Sequence, residues 1–187
     1  NDAFVDDPAT VSDKYLDTPP IAITAAPARV TFRNNYQLES TFDGGVLEVS
    51  SPNINAGAFT DVTNAAVGGS FVRGGYVATI SGGFGNPLAG RMAWSGNSGG
   101  YIDTIANLGP NVAGQTITLR FRMGSDNASS AGGWRIDTLS VAEALCEPTG
   151  TVTTLDDHND GTCNAVDCTL REAIDAANLR AVNVIGF

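Results

Sequence analysis

Apolar and polar residues alternate most clearly along Gln115-Thr116-Ile117-Thr118-Leu119-Arg120-Phe121-Arg122-Met123. A period of two places Ile117, Leu119, Phe121 and Met123 on one face and Thr118, Arg120 and Arg122 on the other. This predicts a strand with one core side and one wet side. Residues 28–33 alternate in the same way, with Val30 and Phe32 together, and residues 134–141 predict a closing strand with Trp134 beside Ile136 on the buried face. Asp43-Gly44-Gly45 before Val46–Ser50, and Gly74-Gly75 before Tyr76–Ile80, each read as a turn opening into a strand. Short strands at regular spacing with no long helical period predict an all-β fold of two antiparallel sheets packed face to face.

After Leu145 the pattern changes. Residues 146–150 read as a linker, and Thr151–Leu155 as a short β-branched strand. Thr169-Leu170-Arg171-Glu172 has the form of a capping box, and Leu170, Ala173, Ile174 and Ala177 follow at helical spacing, predicting a short amphipathic helix. The expected organisation is a sandwich over residues 1–145, a linker over 146–150 and a second segment over 151–187.

Composition sharpens this picture. With 187 residues, 22 Gly, 8 Pro and 16% charged residues, the chain suits tight turns and has room for one well-buried sandwich plus part of another domain. A net charge of −10 repels phosphate backbones, so nucleic acid is not an expected partner. No apolar run approaches the roughly 20 residues that span a bilayer, so no membrane insertion is expected, and the first residues read as lying beyond any signal peptide. Of three cysteines, Cys163 and Cys168 are close enough to close a small disulfide loop, which would suit an oxidising compartment and leave Cys146 over. With only His158 as an imidazole, the spacing fits no common zinc set.

Several motifs occur in order: Phe42–Ser50, Asn86-Pro87-Leu88-Ala89-Gly90-Arg91, Ala93-Trp94-Ser95-Gly96, Leu119–Arg122 and Gly133-Trp134-Arg135-Ile136-Asp137. Through them residues 1–145 resemble MAM-like, immune-inhibitor-type jelly-roll modules of bacterial secreted proteins. Cys168-Thr169-Leu170-Arg171-Glu172-Ala173 resembles the opening of the family named for a Cys-Ser-Leu-Arg-Glu-Ala motif, with Thr in place of Ser. That second resemblance implies the capping strand and helix of a right-handed parallel β-helix.

The MAM-like resemblance also implies a calcium ion between the N-terminal segment and the closing strand, with Asp137 and one or more of Asp6, Asp7 and Asp13 as ligands. Calcium takes six to eight hard oxygen ligands, and such a site would tie down a terminus that otherwise frays. Glu39, Asp43 and Glu48 form a second acidic group around the expected hairpin; turn chemistry accounts for Asp43, and a second cation set is the alternative. Asp156–Asp167 has a partial calcium-loop pattern but no helix before it, and a disulfide-closed turn is the simpler reading. Aromatic side chains in loops bind sugars by stacking, which makes Trp94, Tyr76 and Tyr101 candidates, Trp94 above all because Ser and Gly flank it.

No zinc-protease motif, nucleophile elbow or phosphate loop is present. The expected function is therefore noncatalytic: a calcium-stabilised module of a secreted or cell-surface protein for adhesion, carbohydrate binding or domain packing, with a carbohydrate or a neighbouring surface protein as partner. The alternatives are an accessory domain of a secreted peptidase or polysaccharide-degrading enzyme, and a self-assembling subunit of a fibre or surface layer.

Overall fold

The computed structural model describes residues 2–25, 27–143, 150, 151, 154–156, 169–171, 174, 185 and 186. The chain divides into two compact units, Asn1–Ala144 and Leu145–Phe187. Unit one is all-β. One antiparallel sheet contains β1 (Ala3–Asp7), β4 (Ala28–Gln37), β7 (Ser70–Arg73), β10 (Ile102–Asn107) and β12 (Ala131–Glu143), ordered β1-β12-β4-β10-β7. The other contains β2 (Ser12–Asp17), β5 (Gly44–Ser50), β6 (Thr60–Asp61) and β11 (Gln115–Ser125), ordered β2-β11-β5-β6, with β3 (Ile21–Ile23) also paired to β11. The two sheets pack together as a β-sandwich, and a small separate pair of β8 (Ala78–Thr79) and β9 (Met92–Ala93) lies against β5, joined to it by the bridge between Trp94 and Gly45.

The alternation in β4 and β11 is what builds the core. In β4, Ala28, Val30, Phe32, Asn34 and Tyr36 are buried, and in β11 Ile117, Leu119, Phe121 and Met123 are. Their inner faces close on a cluster of rings: Phe32 lies edge-on to Phe121 and Trp94, and Trp94 lies 5.7 Å from Trp134. Both indoles are fully buried and find acceptors, as a buried N–H must. The Trp94 Nε1–H donates to Gly74 O at 2.8 Å, and the Trp134 Nε1–H to Asn34 Oδ1 at 2.7 Å.

Gly44 and Gly45 lie at the start of β5 rather than in a turn. A Cβ on Gly45 would sit 2.8 Å from the Trp134 ring, and one on Gly44 would sit 2.6 Å from Ile80. Close packing on both faces, not turn geometry, requires glycine there. The far face of β5 is covered in turn, for Val46 packs with Ile80, Leu88 and Ala93 in a second apolar cluster.

In unit two, β13 (Gly150–Thr151) pairs in parallel with β14 (Ile185–Gly186). Leu170, Arg171 and Ile174 have helical backbone where the short helix is expected, but Leu170 and Ile174, expected on its buried stripe, are exposed. Cys163, Cys168, Cys146 and the Asp157–Asp167 loop lie outside the described residues. No helix among the described residues is long and apolar enough to cross a membrane.

Candidate metal centre

Four carboxylates meet at one end of the sandwich, supplied by three separate parts of unit one. Asp7 ends β1, Glu39 and Asp43 lie in the connection that carries the chain from β4 in one sheet to β5 in the other, and Asp126 follows β11. Oxygens of Glu39, Asp43 and Asp126 lie within 4.8 Å of one another. The Asp7 carboxylate faces Asp43, and its Oδ2 accepts the Glu39 N–H at 3.3 Å.

Local chain geometry explains why these side chains converge. The Phe42 and Asp43 N–H groups both donate to Glu39 O, curling the connection back so that Glu39 and Asp43 sit on one side of a tight turn. Thr41 takes a left-handed φ of 66° within that turn. The Ser95 hydroxyl braces it by donating to Asp43 O at 2.7 Å while accepting the Thr41 N–H at 2.8 Å. Asn86 ties the same loop to β11, its Nδ2 donating to Phe42 O and to Gly124 O. Asp126 is oriented by its backbone, because its N–H donates to Asp43 Oδ1 at 2.6 Å while its own Oδ1 accepts the Ala128 N–H at 2.8 Å.

Burial makes this grouping costly. Asp7, Asp43 and Asp126 are 3%, 0% and 2% exposed, and among the described residues no lysine or arginine pairs with any of the four acids. Asp7 Oδ1, Glu39 Oε2 and Asp43 Oδ2 are buried with no hydrogen-bond partner. Anionic oxygens withdrawn from water without a counter-charge are strongly unfavourable, and the group responds by holding its protons. Burial, reinforced by the facing Asp7 carboxylate and the Asp126 charge, pushes Asp43 up to about 7. Asp7 is raised as well, chiefly by burial, with Glu39 and Asp126 adding to the effect.

These features fit a hard cation. The donors are all carboxylate oxygens, the ligand type calcium and magnesium prefer over the nitrogen and sulfur that draw zinc or copper. Three buried oxygens lack a hydrogen-bond partner, and an ion would take the place of the protons that burial retains on Asp43 and Asp7.

The set differs from the sequence expectation. Of the first proposed ligands only Asp7 lies beside this group, its carboxylate facing Asp43. Its neighbour Asp6 projects to the other side of β1 and pairs with Lys14 at 2.6 Å, while Asp13 is held by Arg122 at 2.8 Å in a two-pronged pair. Asp137 opposes Arg33, whereas Asp7 opposes Ala131 on the same strand β12. Six residues of strand put Asp137 about 20 Å from the cluster. There it accepts the Thr138 N–H at a bulge. The second acidic group splits: Glu39 and Asp43 converge, but Glu48 lies further along β5 and pairs with Arg91. Asp126 was not anticipated; the Asp-Asn pair directly after the strongest strand is a turn signal, and nothing in it marks a ligand.

Two of the three aromatic candidates, Trp94 and Tyr76, are packed in the core. Trp94 is 0% exposed, because β9 carries it into the core and the flanking Ser95 and Gly96 serve the loop brace instead. Tyr76 lies edge-on to Trp94 and Phe71, and its hydroxyl accepts the Leu47 N–H at 2.9 Å while lying 3.2 Å from both Leu47 O and Asp61 Oδ2, the two acceptors within reach of its one proton. Tyr101 is half-buried, with the Arg33 guanidinium 4.8 Å from its ring centre, and donates its hydroxyl proton to Asp2 at 2.7 Å. No family model matches the chain, and no curated protein matches it.

Proposed function

We propose that unit one is a noncatalytic, calcium-stabilised β-sandwich module of a secreted or cell-surface protein, serving adhesion to a neighbouring protein or packing between domains. The observation that carries this reading is the group of Glu39, Asp43 and Asp126, with Asp7 facing Asp43 and buried, partnerless oxygens on Asp7, Glu39 and Asp43. A site assembled from a crossover between sheets and the end of a central strand, with an edge strand against it, acts as a staple. Ion binding joins parts of the chain that would otherwise repel one another. Extracellular modules bind calcium at 10⁻⁴–10⁻³ M, the range available outside cells, which fits a structural rather than a signalling ion. The resemblance of residues 1–145 to MAM-like modules is in keeping with this. Sugar stacking on Trp94 or Tyr76 is not retained, since both rings are packed in the core, which leaves the half-buried Tyr101 as the one candidate ring.

Thermal unfolding with CaCl₂ and with EGTA tests the reading. A ligand bound only by the folded state stabilises it by about 2.7 kcal/mol at a hundredfold excess over Kd, enough to raise the midpoint by several degrees. An unchanged midpoint, with no metal in the purified protein, removes the calcium staple.

A further inference from the structure

At one edge of the sandwich a gap remains between the two sheets. β1 is the outermost strand of the first sheet there, beside β12, and β2 that of the second, beside β11. In the first sheet Ala3 and Val5 lie next to Ile136 and Trp134. Across the gap, Lys14 and Leu16 lie next to Met123 and Phe121. The side chains that β1 turns inward are short, and the space left is a cavity of about 320 Å³, partly open to solvent. Protein interiors leave few voids larger than a water molecule, and this one has the size and the apolar lining of a small-molecule site. Its floor is core, since Phe121, Met123, Trp134 and Ile136 are all buried. Its rim is apolar as well. Phe4, Tyr15 and Leu16, at least half exposed, surround the opening, and apolar side chains gathered at one exposed place mark a binding surface. One polar side chain breaks this lining. Lys14, the only lysine in the chain, holds an inner-face position beside Met123, and its three N–H donors meet only Asp6 among the described residues, Oδ1 at 2.6 Å and O at 3.5 Å.

We infer that this cavity binds a medium-chain carboxylate, with the alkyl chain in the gap between the sheets and the head on the Lys14 ammonium. Shape selects the body of the ligand. The gap runs along three residues of each edge strand, 3–5 and 14–16, a length of about 10 Å that suits an extended chain of about eight carbons. Charge selects the head. A lysine lays its stem along apolar surface and keeps its ammonium at the water's edge, so Lys14 is the one cation that a chain seated in the cavity would meet. Its present partner is easily given up, because the Asp6 side chain is 67% exposed and can turn to water. The strands stay as they are throughout: Ala3, Val5 and Ile21 remain packed on the core, and buried Ile23 remains within it. None of Asp7, Glu39, Asp43 and Asp126 lines the cavity, so this site and the cation site stand or fall separately.

The test titrates the full chain with butanoate, hexanoate, octanoate and 1-octanol, and with 8-bromooctanoate, whose bromine quenches an indole on contact. Trp134 lines the cavity and Trp94 does not, so quenching reports occupancy. Affinity should rise about fourfold for each added methylene, and octanoate should bind more tightly than 1-octanol. Lys14→Met should bring octanoate down to the level of 1-octanol and leave 1-octanol unchanged. Ala3→Leu, which fills the gap from β1, should weaken every ligand and suppress the quenching, with the near-ultraviolet circular dichroism of each variant checking that the core is intact. Absence of quenching by 8-bromooctanoate overturns the site. Equal affinity of octanoate for the original chain and for Lys14→Met overturns the carboxylate, and a chain-length trend that survives Ala3→Leu puts the alkyl chain elsewhere and overturns the cavity. Quenching that appears only on dilution, as dimers seen by sedimentation dissociate, would mean that a second copy fills the gap, which overturns the small ligand.

Discussion

Two buried acidic regions of unit one solve the same problem in opposite ways. On β5, Glu48 is 2% exposed and meets two arginines, Arg91 at 2.5 Å and Arg122 at 3.6 Å, with Arg91 also holding Asp61 at 2.8 Å. A few residues earlier, Glu39 and Asp43 join Asp7 and Asp126 and, among the described residues, pair with no basic side chain. The first region is neutralised by the chain itself, and the second is left to protons or an ion. Burial alone therefore does not distinguish the two regions; the internal counter-charge does.

The largest expected effect breaks the self-neutralised region. Arg91→Ala strips Glu48 of its closest partner and should cost about 3 kcal/mol in denaturant unfolding, equally in calcium and in EGTA. A cost that depended on calcium would mean the two regions are coupled. Asp43→Asn tests the other region and should act in both directions. Above pH 7, where Asp43 is charged, removing its repelling charge should raise the midpoint in EGTA, while the stabilisation by calcium, about 2.7 kcal/mol at a hundredfold excess over Kd, should disappear.

Acidity sharpens the contrast further. Asp43 keeps its proton in the ion-free folded chain up to about 7 but would lose it near its ordinary value of 3.8 when unfolded. Between those values the folded state binds more protons, so its stability falls as pH rises through the window and is greatest below it. In EGTA the melting temperature should drop by several degrees from pH 5 to pH 8. Saturating calcium should abolish that drop, since the ion takes the place of the proton. A profile insensitive to calcium would argue that the cluster binds no ion. The smallest effect belongs to the exposed periphery: Asp17→Asn removes one half of a surface pair with Arg120 and should change stability by less than about 1 kcal/mol.

Much of the fold was legible in the sequence where one face is core and the other wet. β11 was expected over 115–123 and runs over 115–125, and β12 extends the expected 134–141 in both directions. β1 and β2 were not read as strands, because edge strands that bury almost nothing leave no alternation of apolar residues to see. Trp94 was misread for a related reason: its Ser and Gly neighbours describe a loop, whereas the burial of the ring is decided by Phe32, Phe71 and Trp134, all distant in sequence. The site was half legible. Glu39 and Asp43 are near enough in the chain to be grouped by eye, but Asp7 and Asp126 join them only through pairing across the two sheets, which no local pattern encodes.

The meeting of Trp94 and Trp134 in the core has an optical consequence. They are the only two tryptophans in the chain, and their ring centres lie 5.7 Å apart at an angle of 42°. Chromophores so close and so inclined share their excited states, which gives the assembled core a paired circular-dichroism band near the indole absorption. Val5 of β1 lies opposite Trp134, whereas Trp94 is sealed among β9, Phe32 and Phe71. Lifting β1 would therefore wet one chromophore of the pair and leave the other dry, so the emission would redden while the paired band survived. Loss of both together would report collapse of the sandwich itself.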